Sequence, residues 1–347
     1  MTKSTLRLPA HHRLGRVFPT PLTAIDAIAA VIDNLRYEVI SATVNIPGES
    51  TPLPVLHHRA IVRLATPEDP QPRALGMVGD SYHLVQPSDL AAAIDAATGD
   101  IAQVETVGIL NLGRRVFITL QLPPLQILGD QVERLLAFMS PYDGRGSLTA
   151  EIWPVRVACQ NTLRLDTEWF KGTQSLAGYR MRHTQNSAEA FNGWVQDAYQ
   201  RALASGPALE SQLQSMAQVK VLDECAAETL EAIYPDAEPP RNHAPDIVMS
   251  QRRQRHAADC QKRRVWRNGA FSLFAGAGAG MTHPSCNGTV YGLYNAVCEA
   301  VDHSVPTAGL HDQNAMRSIA LDATFGAGAR VKQRAFAECM TLVQLLS

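Results

Sequence analysis

The chain has 347 residues, of which 46% are hydrophobic and 18% are charged, so it can bury a large core and lacks the composition of a disordered protein. Its 31 Lys and Arg residues face 33 Asp and Glu residues, and the formal net charge of −2 excludes nucleic-acid binding driven by overall charge. Six scattered cysteines without a Cys-x-x-Cys pair exclude the disulfide framework of a small secreted domain.

The beginning of the chain gives an expectation about its location. Residues 1–18 lack the apolar stretch of a secretory signal, and no run of about 18 apolar residues follows. We therefore predict a cytoplasmic protein with reduced thiols and no contact with a membrane. Residues 1–18 are predicted to form a flexible leader, and a basic arm that touches phosphates is the alternative.

The first half of the chain has the pattern of a mixed domain. Apolar residues at helical spacing predict helices over 19–35 and 87–99. Alternating apolar residues predict strands over 37–46, 58–65, 74–85, 103–110, 114–122, 132–140 and 147–157. Asn111-Leu112-Gly113 predicts a hairpin turn, and the closely spaced strands indicate an antiparallel meander.

The second half of the chain is helical by its periodicity. Helices are predicted over 187–203, 209–233, 245–266, 288–303 and 314–346, with a proline-rich linker near 235–245. The predicted fold class is α+β, an antiparallel β-meander with packed helices followed by a mainly helical C-terminal part. We predict a leader at 1–18, an α+β domain at 19–170 and a mainly helical region at 171–347.

Several motifs carry a resemblance to a known family. The most specific is PVRVACQNTL at 154–163, and the others, in chain order, are VGDSYHLVQ at 78–86, Gly108 with GRRVF at 113–117, GTVYGLYNAV at 288–297 with Asp302-His303, and GAGA at 326–329 with Lys332. Together they resemble the phage- and plasmid-encoded family called domain of unknown function 932, over roughly residues 30–345.

This resemblance implies a protein of a mobile genetic element and leaves its chemistry open. A meander of strands followed by a helix in such a protein is also similar, at the level of the fold, to the core of single-strand annealing recombinases. That likeness implies a partner, single-stranded DNA, and a homo-oligomer in the form of a ring or filament.

Basic residues in and after the meander are candidates for contacts with phosphates. Arg114 and Arg115 follow the hairpin turn and, as neighbours on a strand, face opposite sides. The further candidates after the hairpin are Arg145, Arg156, Lys171, Arg180 and Arg182. Arg156 has an alternative role as a structural arginine that donates to backbone carbonyls or to Asp143.

A second basic cluster lies on one predicted helix near the linker. Its members are Arg252, Arg253, Arg255, Lys262, Arg263, Arg264 and Arg267. Such a cluster binds phosphates with release of counterions, and Trp266 could stack on a base. The alternative is an ordinary solvated helix face.

Residues suited to catalysis form no recognisable pattern. Cys159 has no base placed beside it by the sequence and is predicted to be buried and inert. Asp143, Glu151 and Asp166 lie in one region, but their spacing matches no metal-dependent nuclease motif. We therefore predict neither a cofactor nor a catalytic residue.

Two other segments invite a binding interpretation that their details do not support. His283 and Cys286 have a ligand-like spacing without a second pair, so no metal site is predicted there. The glycine-rich segment 274–280 lacks the Gly-Lys-Ser/Thr ending of a phosphate loop and predicts a flexible linker. Segment 326–329 predicts a break between helices with a tight helix contact.

The sequence thus leads to a functional hypothesis with two alternatives. We predict a non-enzymatic single-stranded DNA-binding protein that acts in strand annealing or recombination. The alternatives are a nucleic-acid-processing enzyme, such as a nuclease, and an interaction protein that counteracts a host defence factor.

Overall fold

The computed structural model describes residues 7–32, 35–67, 69–99, 103–165, 179–184, 188–240, 246–303 and 313–347. Its strands are Arg16–Val17 (β1), Tyr37–Val44 (β2), Leu53–Arg63 (β3), Arg73–Gly79 (β4), Val104–Leu110 (β5), Arg115–Ile127 (β6), Asp130–Pro141 (β7), Leu148–Arg156 (β8), Asn161–Thr162 (β9) and Tyr179–Met181 (β10). They form a seven-stranded sheet in the order β1-β5-β6-β7-β8-β10, with β9 on β8, and a three-stranded sheet β2-β3-β4.

The helices dominate the later part of the chain. Those within the described ranges are Ala24–Ile32 (α1), Pro87–Thr98 (α2), Ala188–Ala204 (α3), Gly206–Gln218 (α4), Asp223–Ile233 (α5), Asp246–Ser272 (α6), Val290–His303 (α7), Gln313–Phe325 (α8) and Ala327–Leu346 (α9). All strand pairs in both sheets are antiparallel, so the predicted α+β class with a meander and a helical C-terminal part is confirmed. Among the described residues, no helix is both long enough and apolar enough to span a bilayer.

The large sheet is covered on both faces, and strand alternation decides which residue enters which core. On β6, Val116 and Ile118 enter one core while Phe117 enters the opposite one. The first core joins the sheet to α1, α2, α3 and the small sheet, through residues such as Ile28, Leu90, Ile94, Ile61, Phe138 and Trp194. Because both faces are buried, the strands are nearly continuous apolar runs.

The remaining helices form two further cores with the sheet. Val132 and Leu163 pack with α4, α5, α7 and α9 in a second core that contains Leu213, Leu230, Tyr291 and Phe336. A third, smaller core joins Phe117 and Trp153 to Ala320 and Ala323 of α8. The face that holds Trp153 also borders the candidate site.

The N-terminal segment corrects one prediction. Ala10 and Leu14 are buried in the third core, and β1 pairs with β5. The expected flexible leader over 1–18 is therefore wrong for residues 7–18. Its few apolar side chains complete the cover that α8 gives to Phe117 and Trp153.

A buried polar network fixes the PVRVACQNTL motif between the sheet and the helices. The Lys332 Nζ atom of α9 donates to Asp302 Oδ1 at 2.7 Å and to the Thr162 carbonyl at 2.9 Å. The other Asp302 oxygen accepts from the Thr162 amide at 2.8 Å. Asn161 donates to the Asn295 carbonyl of α7. The motif is therefore a junction between the β and helical layers.

A close backbone approach at Gly292 gives a stability prediction. A Cβ atom at Gly292 in α7 would lie 1.9 Å from the carbonyl oxygen of Cys286, and neither backbone segment can yield easily. We expect Gly292→Ala to lower the free energy of unfolding by about 1–3 kcal/mol in urea denaturation.

The control is Gly269→Ala in α6, where no atom lies within 4 Å of the new Cβ. That control should instead stabilise the protein by up to about 1 kcal/mol. Equal effects of the two substitutions would contradict the prediction.

Candidate nucleic-acid interface

A groove of about 300 Å³ opens between one end of the large sheet and the junction of α8 with α9. We call it the arginine groove and define it by its lining residues, which are Arg115, Met139, Pro141, Gly146, Ser147, Thr149, Glu151, Arg164, Arg180, Thr324, Phe325, Gly326, Ala329, Arg330 and Gln333. Four of these residues are arginines and one is acidic, so the groove is cationic in a chain whose net charge is −2.

Three of these arginines reach the groove from separate elements. Arg115 begins β6, Arg180 lies in β10 opposite Thr149 of β8, and Arg330 lies in the first turn of α9. All three side chains are exposed. Within the described ranges no carboxylate forms an ion pair with any of the three.

The fourth arginine is a fixed part of the groove wall. Arg164 Nη1 donates to Glu151 Oε2 at 2.7 Å, Nη2 donates to the Thr324 carbonyl, and the guanidinium lies 4.5 Å from the ring centre of Trp153. Arg164 is only 4% exposed. The single acidic residue among the described lining residues is thus paired with Arg164, and it does not compete for Arg115, Arg180 or Arg330.

The α8–α9 break sets the position of Arg330. The Asp322 carboxylate accepts from the amides of Ala327 and Gly328 at 2.9 and 3.1 Å, which caps the start of α9. A Cβ at Gly328 would lie 2.8 Å from a methyl group of Val301 in α7. The predicted helix break with a tight helix contact over 326–329 is confirmed.

The candidates in the hairpin region separate into distinct groups. Arg115 and Arg180 come together in the arginine groove. Arg114, Arg145 and Arg182 are exposed but do not line it. Lys171 lies outside the described residues, as does Asp166.

Arg156 is a correction to the predicted set. Its side chain is fully buried, and it donates to Asp130, to the Ala279 carbonyl at 3.1 Å and to the Gly280 carbonyl at 3.0 Å. It cannot reach a phosphate in this fold, and its alternative role as a structural arginine is confirmed, with Asp130 in place of Asp143. The same bonds correct the flexible-linker prediction for 274–280, because Arg156 holds the carbonyls of that segment.

The predicted basic helix is α6. Some of its cationic side chains are bonded within the protein, and others are exposed to solvent. Arg263 donates to the Pro235 carbonyl, and Arg267 pairs with Asp236 and, at 3.2 Å, with Glu231. These two cations anchor α6 to the end of α5. The Lys262 ammonium lies 4.8 Å from the ring centre of Trp266. The remaining cations, Arg252, Arg253, Arg255 and Arg264, are exposed.

The groups considered for catalysis are engaged or buried. Cys159 is 1% exposed, and burial raises the pKa of its thiol to about 12, so the predicted buried cysteine is confirmed. The Asp143 carboxylate accepts from the backbone amide of Arg145 at 3.0 Å, and Glu151 is held by Arg164. These two carboxylates therefore belong to the local structure of the loop and of the groove wall.

Sequence reasoning missed part of the groove. Arg164 and Arg330 were not among the candidates. Arg164 reaches the groove beside β8, where it pairs with Glu151, and Arg330 reaches it through the position of α9. Arg330 lies between the GAGA motif at 326–329 and Lys332, and this position is the one signal that could have drawn attention to it. Phe325, which also lines the groove, had no signal at all.

Comparison with known proteins agrees with the motif resemblance. The model of the family described as Domain of unknown function (DUF932) matches residues 74–322, well over half of the 347 residues. Neither a curated protein nor a solved structure matches the chain. The matched range contains Arg115, Arg164 and Arg180 of the groove, and also the PVRVACQNTL junction. The chain is a member of the DUF932 family.

Proposed function

We propose that this protein binds single-stranded DNA through the arginine groove and acts in strand annealing or recombination. The observation that carries the proposal is the convergence of three exposed arginines without carboxylate partners, Arg115, Arg180 and Arg330, in one groove of the described chain. Guanidinium groups suit phosphates because their planar array of donors matches phosphate oxygens.

The size and lining of the groove favour a single strand over a duplex. A groove of about 300 Å³ has room for a unit of nucleotide size and far too little for a double helix. Met139 and Phe325 add apolar surface beside the arginines. Proteins that bind single strands without sequence preference combine cations, which contact the phosphates, with apolar or aromatic side chains, on which the bases stack.

Two further features belong to the same proposal. The exposed arginines of α6, namely Arg252, Arg253, Arg255 and Arg264, offer a second contact for the DNA backbone. One groove reaches few phosphates, so useful affinity requires several grooves on one strand. We therefore expect a homo-oligomer, in the form of a ring or filament, as the active species.

The test is fluorescence anisotropy with a labelled oligo(dT) over a salt series of about 50–200 mM. We expect salt-sensitive binding by the wild-type protein. Arg115→Glu/Arg180→Glu/Arg330→Glu should lower the affinity at least about 100-fold and reduce the log–log salt slope by about 2, because three phosphate contacts are lost. Arg252→Glu/Arg253→Glu/Arg255→Glu should have a smaller effect of the same kind.

A matched control distinguishes the loss of a contact in the groove from the effect of a changed net charge. Arg36 is exposed and does not line the groove, so Arg36→Glu makes the same change of charge as Arg180→Glu. We expect a clear loss with Arg180→Glu and little with Arg36→Glu. Equal losses, or binding by the triple variant at wild-type affinity, would refute the groove. Negative-stain images without rings or filaments on DNA would refute the oligomer.

A further inference from the structure

Two adjacent histidines and one glutamate meet on the sheet face beside Trp153. The Nε2 atom of His11 lies 3.2 Å from Glu105 Oε2, and His12 Nε2 contacts Glu105 Oε1. One ligand atom from each of the three residues lies within 4.8 Å of the other two. Imidazole nitrogens and a carboxylate oxygen in such a group are typical ligands of divalent transition metals.

The three residues meet because they lie on two irregular backbone segments, a turn in the N-terminal segment and a bulge in β5. His11 and His12 lie in the 3-10 turn Ala10–Arg13, which is packed into the third core. Glu105 lies at a β-bulge, because the pairing of β5 with β6 shifts register between Val104 and Thr106. A bulge redirects a side chain out of the regular alternation, and this one directs Glu105 toward the turn.

A second layer of hydrogen bonds holds the carboxylate. The hydroxyl groups of Thr106 and Thr119 each donate to Glu105 Oε2 at 2.7 Å. Outer partners of this kind orient the ligands of metal sites and reduce the freedom that a ligand would lose on binding. The carboxylate is thus positioned in advance and does not require the metal for its orientation.

The charges around the cluster favour a cation. No Lys or Arg in the described chain forms an ion pair with Glu105. Glu133 adds its carboxylate to the local negative potential, and the nearby Arg164, whose charge acts on His11, is already paired with Glu151.

We propose that His11, His12 and Glu105 bind one divalent transition-metal ion, with Zn²⁺ the best match to two imidazoles and a carboxylate. Three protein ligands leave a fourth position open, and the side chains of His12 and Glu105 are 17% and 16% exposed, so water can reach the metal. The metal joins the N-terminal segment to β5. This inference does not depend on the binding of DNA.

The test is calorimetric titration of the full chain, first freed of metal by a chelator, with Zn²⁺ alone. We expect one site per chain that weakens as pH falls, because protons compete for the imidazoles. His12→Gln and Glu105→Gln should each lower the affinity at least about tenfold. The matched control is His57→Gln, which removes an exposed histidine whose carboxylate neighbour is Asp80 and should leave the site unchanged.

A second measurement covers variants that lose stability. Zn²⁺ at saturating concentration should raise the melting temperature of the wild-type protein and of His57→Gln, and not that of His12→Gln, because only a ligand of the native state stabilises it. A folded wild-type protein that takes up no Zn²⁺ would overturn the proposal, and so would variants that bind as well as the wild type. The cluster would then be a hydrogen-bonded anchor only.

Discussion

Lys332→Met is expected to lower the free energy of unfolding by about 3–5 kcal/mol. Lys332 and Asp302 are both 0% exposed, and Lys332 is the cation that balances the Asp302 carboxylate. Without it, a buried negative charge remains beside the Thr162 carbonyl, which loses its donor at the same time. The cost arises mainly from the charge that is left behind.

Urea denaturation measures this effect, and two further variants define its origin. Lys220→Met removes an exposed lysine that also donates to a carbonyl, that of Asn287, and it should cost less than about 1 kcal/mol. Asp302→Asn combined with Lys332→Met removes both charges and should restore part of the loss. If Lys332→Met matches Lys220→Met, the buried pair does not stabilise the junction.

The second large effect is expected at Arg156. Arg156→Met should also cost about 3–5 kcal/mol, because Asp130 would keep a buried charge and the carbonyls of Ala279 and Gly280 would lose their donors. The affinity of the remaining folded protein for single-stranded DNA should not change, because the side chain is fully buried.

For Arg180→Met we expect the reverse of the effects of Arg156→Met, with DNA affinity lowered and stability nearly unchanged. Its side chain is exposed in the arginine groove, so stability should change by less than about 0.5 kcal/mol while DNA affinity falls. Denaturation and anisotropy on the same two variants separate a structural arginine from a binding one. Loss of DNA affinity in a fully folded Arg156→Met protein would contradict this assignment.

Local patterns were sufficient for most of the sheet. Alternation over 114–122 with the Asn111-Leu112-Gly113 turn predicted the β5–β6 hairpin, and the structure confirms it, with Gly113 at a φ of +94°. The same alternation placed Arg114 and Arg115 on opposite sides, and only Arg115 lines the groove. The predicted helix 209–233 was wrong in one respect, because the chain breaks between α4 and α5.

Long-range packing decided what the sequence left open. Arg156 and Arg180 are the same residue type on strands of one sheet, and distant groups such as Asp130 and the segment 279–280 enclose Arg156 and make it internal. His11 and His12 lie in a polar N-terminal stretch, 94 and 93 residues before Glu105. No local pattern relates residues at such separations.

The lysine that completes the motif junction is made late. Thr162 and Lys332 are 170 residues apart in the chain. At typical rates of translation, roughly 10–30 s separate the appearance of the two residues at the ribosome. During that time the sheet exposes the face that α7 and α9 later cover, and contacts of this separation also form slowly. The nascent chain thus depends on delayed closure of its second core, a stage at which chaperones are of most use to it.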